Sequence, residues 1–176
     1  MAEWTTKQMM VLAVARQIKD GQTCIVGTGL PLIGTALAKI TTAPNAILIF
    51  ETGIIDSSPR EVPTGVSDLR ISHDASALWP QYRYLGFQCN SLRKNSIDIG
   101  FLGGAQIDPY GNLNSTSIGE YNHPDTRFTG SGGANGIASY CDTIIMMQHQ
   151  KRRFCNKVDY VTSPGWGDGQ NGRVKL

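Results

Sequence analysis

Apolar positions near the start of the chain follow one period and then another. Val11, Val14, Ala15 and Ile18 recur at the i, i+3, i+4, i+7 spacing of a single helix face. Thr5 or Thr6 stands where a cap belongs, and Gly21 stands where such a helix stops. The run Thr23-Cys24-Ile25-Val26 then reads as a strand, Gly27-Thr28-Gly29 as a tight turn, and about Pro31 to Lys39 as a helix with proline in its first turn. Ala46-Ile47-Leu48-Ile49-Phe50 is a second short, β-branched run. Strand, glycine turn, helix and strand make a βαβ unit, which predicts parallel pairing at this point.

Beyond Phe50 the pattern loosens. Asp56 to Pro80 reads as loop, with Pro59, Pro63 and Pro80 in it and a short strand over Val66-Ser67-Asp68-Leu69-Arg70-Ile71. Tyr82 to Phe87 reads as a strand before a short helical stretch, and Ile97 to Leu102 as a further strand ending in Gly103-Gly104. That glycine pair marks close approach of a backbone or a ligand. Thr143 to Met147 and Lys157 to Thr162 complete the expected strands, and a loop opens at Ser163-Pro164-Gly165-Trp166. The fold class expected is α/β, an open mixed or parallel sheet with flanking helices, in one domain over residues 1–176.

The candidate chemistry begins at Glu51. It follows a buried strand and opens the turn Glu51-Thr52-Gly53, so its carboxylate is delivered to the carboxyl end of a sheet, where open α/β sheets place their ligands. Capping of the next turn is the competing reading of the same residue. Gly27-x-Gly29 begins a dinucleotide-binding pattern, but the third glycine position is Leu32, so that reading fails. What remains is a pair of exposed amides ahead of a helix that can hold an anionic or carbonyl oxygen, or simply a tight strand-to-helix turn. Gly130-Ser131-Gly132-Gly133-Ala134-Asn135-Gly136 puts four glycines in seven residues. Such a loop leaves its amides unhindered, as oxyanion stabilisation requires, and apolar strands nearby argue against a flexible linker.

Composition removes several classes. Sixteen basic and fourteen acidic residues give a net charge of +2, too balanced for a nucleic-acid protein. The one basic cluster, Lys151-Arg152-Arg153 with Lys157, reads as a solvated or interface segment. Cys24, Cys89, Cys141 and Cys155 show no Cys-x-x-Cys spacing, and His73, His123 and His149 form no His-x-x-x-His pair, so no metal site is indicated. Met1-Ala2-Glu3-Trp4 has no basic flank or apolar stretch of a secretory signal, and no segment reaches the roughly 18 apolar residues that suggest a membrane span. The expectation is a cytoplasmic chain with reduced thiols, no membrane and no resident cofactor.

Four blocks together resemble the B-type subunits of family I CoA-transferases: Val26-Gly27-Thr28-Gly29-Leu30-Pro31, Glu51-Thr52-Gly53, Gly103-Gly104-Ala105-Gln106-Ile107-Asp108-Pro109-Tyr110-Gly111-Asn112, and Gly130 to Gly136. The resemblance runs from the first helix to Ser163-Pro164-Gly165-Trp166. It implies a fold shared with ribose-5-phosphate isomerase and a separately encoded A-type subunit that docks against this chain to form a hetero-oligomer. It implies that Glu51 is the covalent nucleophile, with Thr52 where the family carries Ser or Asn. It also implies that Gly132, Gly133, Ala134, Asn135 and Gly136 bind CoA and the oxyanion, the amides near Gly133 and Ala134 being the donors. Gly27, Gly29, Gly103 and Gly104 would line the acyl pocket.

The activity so implied moves CoA from an acyl-CoA to a free short-chain or dicarboxylic acid through a glutamyl-CoA thioester on Glu51, with coenzyme A as substrate. Hydrolysis or decarboxylation of an acyl-CoA on the same fold is the alternative, and a non-catalytic metabolite sensor is the third reading. A dicarboxylic substrate needs a cation for its second carboxylate, for which Arg70, Arg83 or Arg127 are the candidates, or a residue of the A-type subunit. The family's B-type subunits are longer than 176 residues, so truncation at the C-terminus is also an expectation.

Overall fold

In the computed structural model, which describes residues 4–80 and 97–169, helix α1 (Thr6–Gln17) starts on a reciprocal cap. Thr5 Oγ1 accepts the Gln8 N–H at 3.3 Å, and Gln8 Oε1 accepts the Thr5 N–H at 2.8 Å. The helix ends at Gln17, ahead of Gly21, whose φ of +79° serves the turn into the first strand instead. Val14, Ala15 and Ile18 are buried on the expected face. Helix α2 (Leu30–Ile40) begins at Gly29, where φ is +98°, with Pro31 in its first turn. The two helices pack together at Gly34, where an added Cβ would stand 2.4 Å from Val14 Cγ1.

The chain divides into two compact units, Met1–Phe101 and Leu102–Leu176. The first holds β1 (Thr23–Val26), β2 (Ile47–Phe50), β3 (Ile54–Ile55), β4 (Ala77–Leu78) and the start of β5 (Ile99–Leu102), in the order β5-β1-β2-β3-β4. β1 pairs in parallel with β2, Val26 opposite Phe50, and with β5, Ile25 opposite Gly100. β2–β3 and β3–β4 are antiparallel, so the sheet is mixed and the fold is α/β. Parallel strands buried on both faces should be apolar throughout, and Cys24, Ile25, Val26, Leu48, Ile49 and Phe50 are all buried.

Lys39, in the last turn of α2, ties both feet of the β2–β3 hairpin. Its Nζ donates to Ala46 O at 2.7 Å, just before β2, and to the Asp56 carboxylate, just after β3. Asp56 Oδ2 also accepts the Ser76 hydroxyl at 3.0 Å. With the Lys39 side chain only 10% exposed, Lys39→Met strands the Asp56 carboxylate. The expected loss is about 1–3 kcal/mol, read as a lower urea midpoint at unchanged slope.

Two expected strands are absent. Val66 to Ile71 is a turn leading into a 3₁₀ helix, Leu69–Ser72, in which Ile71 is buried. The reason is local: the Asp68 carboxylate accepts the Thr64 N–H and hydroxyl at 2.9 Å and the Arg70 N–H at 3.0 Å, which curls the backbone. Lys157 to Thr162 is irregular because its amides bond elsewhere, Asp159 N–H to Gln106 Oε1 at 3.0 Å and Thr162 N–H to Leu113 O at 2.8 Å. The expected strand Tyr82 to Phe87 and the helical stretch after it lie outside the described residues.

The second unit carries the antiparallel pairs β6 (Gln106–Ile107) with β7 (Leu113–Asn114) and β8 (Ser117–Gly119) with β9 (Pro124–Arg127). Helix α3 (Ala134–Tyr140) and strand β10 (Asp142–Ile145) follow. Its interior is markedly polar. Asn114, fully buried, donates to Gln106 Oε1 at 2.7 Å and Ser117 O at 2.6 Å. Asp108 accepts the Tyr110 and Asn112 N–H groups, each at 3.0 Å, and Asn112 in turn grips the late loop through Gly165 N–H at 2.9 Å and Gly167 O at 2.8 Å. Each of these buried groups is satisfied, so the network fixes loops that apolar burial alone would leave free. Among the described residues no helix is long and apolar enough to cross a membrane.

Candidate active site

Glu51 stands first in a three-residue hairpin loop, Glu51-Thr52-Gly53, between β2 and β3. Ile49 pairs with Ile55, and the Gly53 N–H closes the turn on Phe50 O at 2.9 Å. Gly53 takes φ +88°, the left-handed position such loops require. Glycine is doubly required there, because a Cβ would stand 1.9 Å from Trp79 O, and Gly53 O accepts the Trp79 N–H at 2.8 Å. The loop that holds Glu51 is therefore clamped to the residue after β4.

The Glu51 carboxylate is half-buried, and among the described residues no hydrogen-bond donor or cation is in reach of it. Burial without compensation raises its pKa above the ordinary value of 4.5. A carboxylate that is desolvated and unpaired is more basic and more nucleophilic than one in water. Beside it the Thr52 hydroxyl oxygen is also buried and has no partner. Both polar groups are poorly satisfied, a cost that structural positions avoid.

Gly27 follows β1 as Glu51 follows β2, and the Val26–Phe50 pairing brings the two to the same edge of the sheet. A Cβ on Gly27 would meet nothing closer than Phe101 O at 4.0 Å, so this glycine keeps open space rather than a tight packing contact. Gly29 is exposed with φ +98°. Of the cations considered for a second carboxylate, Arg70 is committed to Asp68 and Glu61, and its guanidinium holds the Asp68 carboxyl well below the usual carboxylate range. Arg127 donates to Tyr121 O at 2.6 Å and lies 4.7 Å over the Tyr121 ring. Arg83 is outside the described residues.

In the second unit the loop Gly130–Gly136 runs into α3. The N–H groups of Ser131, Gly132 and Gly133 have no partner among the described residues, whereas the Ala134 N–H donates to Ser131 O at 2.8 Å. Gly130 and Gly132 take φ +92° and +48°. The loop is hung at Gly130, whose N–H meets Ser115 O at 3.2 Å and whose carbonyl accepts the Ser115 hydroxyl at 3.1 Å. At its other end the Asn135 amide reaches Thr162 O at 3.5 Å.

Gly103 and Gly104 follow β5, and the second of them is packed. A Cβ at Gly104 would be 3.2 Å from Leu113 Cδ2, and its carbonyl accepts from Arg153 at 2.7 Å. One member of the basic cluster thus points inward. A half-open cleft between Tyr110, Cys141, Pro164 and Trp166 contains none of the expected site residues. There burial, and then Asp142, push the Cys141 thiol up to about 11, so it stays protonated and inert. Among the described residues no group of three or more His, Cys, Asp or Glu side chains is placed to hold a metal ion. Sequence reasoning passed over Ser115 and Thr162, and the hydroxyl run Asn114-Ser115-Thr116 was the available signal.

Comparison with known proteins gives consistent matches. The family model described as coenzyme A transferase matches residues 7–176. The B-type subunit of glutaconate CoA-transferase from Acidaminococcus fermentans is 60% identical over 174 residues, covering 98% of this chain and 65% of the relative. That of 3-oxoadipate CoA-transferase from Pseudomonas knackmussii is 38% identical over 180 residues, all of this chain and 67% of the relative. The crystal structure of glutaconate coenzyme A-transferase from A. fermentans superposes with a TM-score of 0.92 at 59% identity, covering 98% of this chain and 67% of that one. The chain spans about two thirds of the length of these relatives.

Proposed function

The chain belongs to the coenzyme A transferase family, and from that premise we propose that it is the B-type part of a CoA-transferase whose nucleophile is Glu51. The carrying observation is the half-buried, unpartnered Glu51 carboxylate at the carboxyl edge of β2, next to the open space at Gly27. Its partner is an A-type subunit, a reading supported by the names of both relatives, each of which is one of two lettered components of its enzyme.

The reaction runs in two half-cycles. A Glu51 carboxylate oxygen attacks the thioester carbonyl of an acyl-CoA, and the C–S bond breaks to give an acyl–Glu51 anhydride and CoA thiolate. The thiolate attacks the Glu51 carbonyl, expelling the acyl carboxylate and leaving Glu51 as its CoA thioester. An incoming carboxylate attacks that thioester, and the released thiolate then attacks the new acyl carbonyl. Glu51 returns as a carboxylate with no net proton change. The scheme is ping-pong.

Each attack passes through a tetrahedral oxyanion. The unpartnered N–H groups of Gly132 and Gly133 are the proposed donors, and Ala134 is set aside because its N–H is already bonded within the loop. Loss of one such donor typically costs about 3 kcal/mol in the transition state. Gly27 and Gly29 are proposed to line the acyl pocket. Both relatives are named for dicarboxylic acids, which supports a dicarboxylate for this chain. With Arg70 and Arg127 engaged elsewhere, a cation of the A-type subunit is the proposed partner of its second carboxylate.

The raised pKa of Glu51 has two signed consequences. Activity needs the carboxylate, so kcat/KM should fall as pH drops through a value above the ordinary 4.5. Stability runs the opposite way: the contribution of this group is fully present below 4.5 and is lost as pH rises through the raised value. A pH series of kcat/KM and of the unfolding midpoint, with Glu51→Gln as the reference for the second, checks both. To separate transfer from hydrolysis, the chain co-expressed with its A-type subunit is given glutaryl-CoA with and without acetate. Transfer requires the acceptor, and equal consumption without it would point to a hydrolase.

A further inference from the structure

We propose that Thr162 is a positioning residue for the Gly130–Gly136 loop, holding its free amides where the oxyanion forms, an inference that rests on the transfer reading above. Thr162 is buried, 4% exposed, in a segment with no strand ladder to hold it. Its Oγ1 accepts the Ser115 N–H at 2.9 Å and lies 2.8 Å from Thr116 Oγ1.

Ser115 and Thr116 are the residues from which the loop hangs. The Ser115 hydroxyl and carbonyl grip both polar groups of Gly130, and Thr116 O accepts the Phe128 N–H at 2.9 Å. Thr162 O meets Asn135 at the far end. One buried residue therefore links the entry and the exit of the loop, while Ser131, Gly132 and Gly133 between them keep their N–H groups uncommitted. A glycine-rich loop has little stiffness of its own, and Gly130 and Gly132 are both in the left-handed region that glycine enters freely. Its geometry is set from outside, by the Ser115–Thr162 contact. A hydroxyl is needed at position 162, because valine fills the same space but leaves the Ser115 N–H without an acceptor.

The test uses the chain with its A-type subunit and follows single-turnover formation of the Glu51–CoA adduct from glutaryl-CoA. Thr162→Val should slow adduct formation about 10- to 100-fold, less than the roughly 10²- to 10³-fold of deleting a donor outright, because the amides remain but are displaced. KM for glutaryl-CoA should stay within about twofold, since ground-state binding is not the interaction lost. Thr162→Ser, which keeps the hydroxyl, should recover most of the rate. Should Thr162→Val fail to fold, Ser115→Ala removes the grip on the Gly130 carbonyl alone, and the same slowing at constant KM is expected.

An unchanged rate per folded molecule in Thr162→Val, or in Ser115→Ala where the first does not fold, would overturn the inference while leaving the transfer reading intact. So would failure of Thr162→Ser to recover the rate. Absence of any Glu51 adduct in the wild type would overturn the transfer reading, and this inference with it.

Discussion

Glu51→Gln should lower turnover by at least about 10⁴-fold without lowering the melting temperature. The amide fills the same space but has no oxygen able to form the anhydride, so neither half-cycle can begin. Stability should hold or rise, because at neutral pH the carboxylate is a burden to the fold: it is half-buried, and neither donor nor cation among the described residues offsets its desolvation. A loss of activity paired with a gain in stability is the signature of a group kept for chemistry. An ordinary turn-capping glutamate would show the reverse. Steady-state kinetics and thermal unfolding of the purified variant, side by side, separate the two.

Gly53→Ala should be the most damaging single-carbon change near the site. The residue has φ +88°, which costs an L side chain about 1–2 kcal/mol. The added methyl would also stand 1.9 Å from the Trp79 carbonyl oxygen, which is backbone and can yield only if β4 moves away. Together these should cost about 3 kcal/mol or more. Whatever relieves the clash also moves the loop that carries Glu51, and a displacement near 1 Å costs about 10²-fold in rate. Denaturant unfolding should show the lost stability, and at permissive temperature kcat should remain depressed. Full activity in a merely destabilised Gly53→Ala would mean that the loop does not set the position of Glu51.

The parts of the fold legible in the sequence are those where one local rule acts alone. Cys24 to Val26 and Leu48 to Phe50 are strands buried on both sides, so their continuous apolar runs were sufficient, and with them came the placement of Glu51 and Gly27 at one edge. The α1 cap was equally open, since Thr5 and Gln8 are three apart. The hairpin that holds Glu51 was not read, because β3 and β4 are two residues each and are defined by pairing across the chain rather than by any period.

Where side chains compete with the ladder, pattern misled. Val66 to Ile71 has the composition of a strand, yet Asp68 turns it into a 3₁₀ helix through bonds to Thr64 and Arg70. Lys157 to Thr162 is held by Gln106 and Leu113, residues distant in sequence, so nothing local could announce it. The same holds for Thr162 and Ser115. Hydroxyls are abundant in this chain, and only the folded second unit distinguishes the two that meet.

The most direct measurement is peptide mass spectrometry of the chain, co-expressed with its A-type subunit, after incubation with glutaryl-CoA and reduction with borohydride. A CoA thioester on Glu51 is reduced to the alcohol, so the expected result is that modification at residue 51, dependent on acyl-CoA and absent from Glu51→Gln. An unmodified Glu51 while glutaryl-CoA is being turned over would contradict covalent catalysis by this residue.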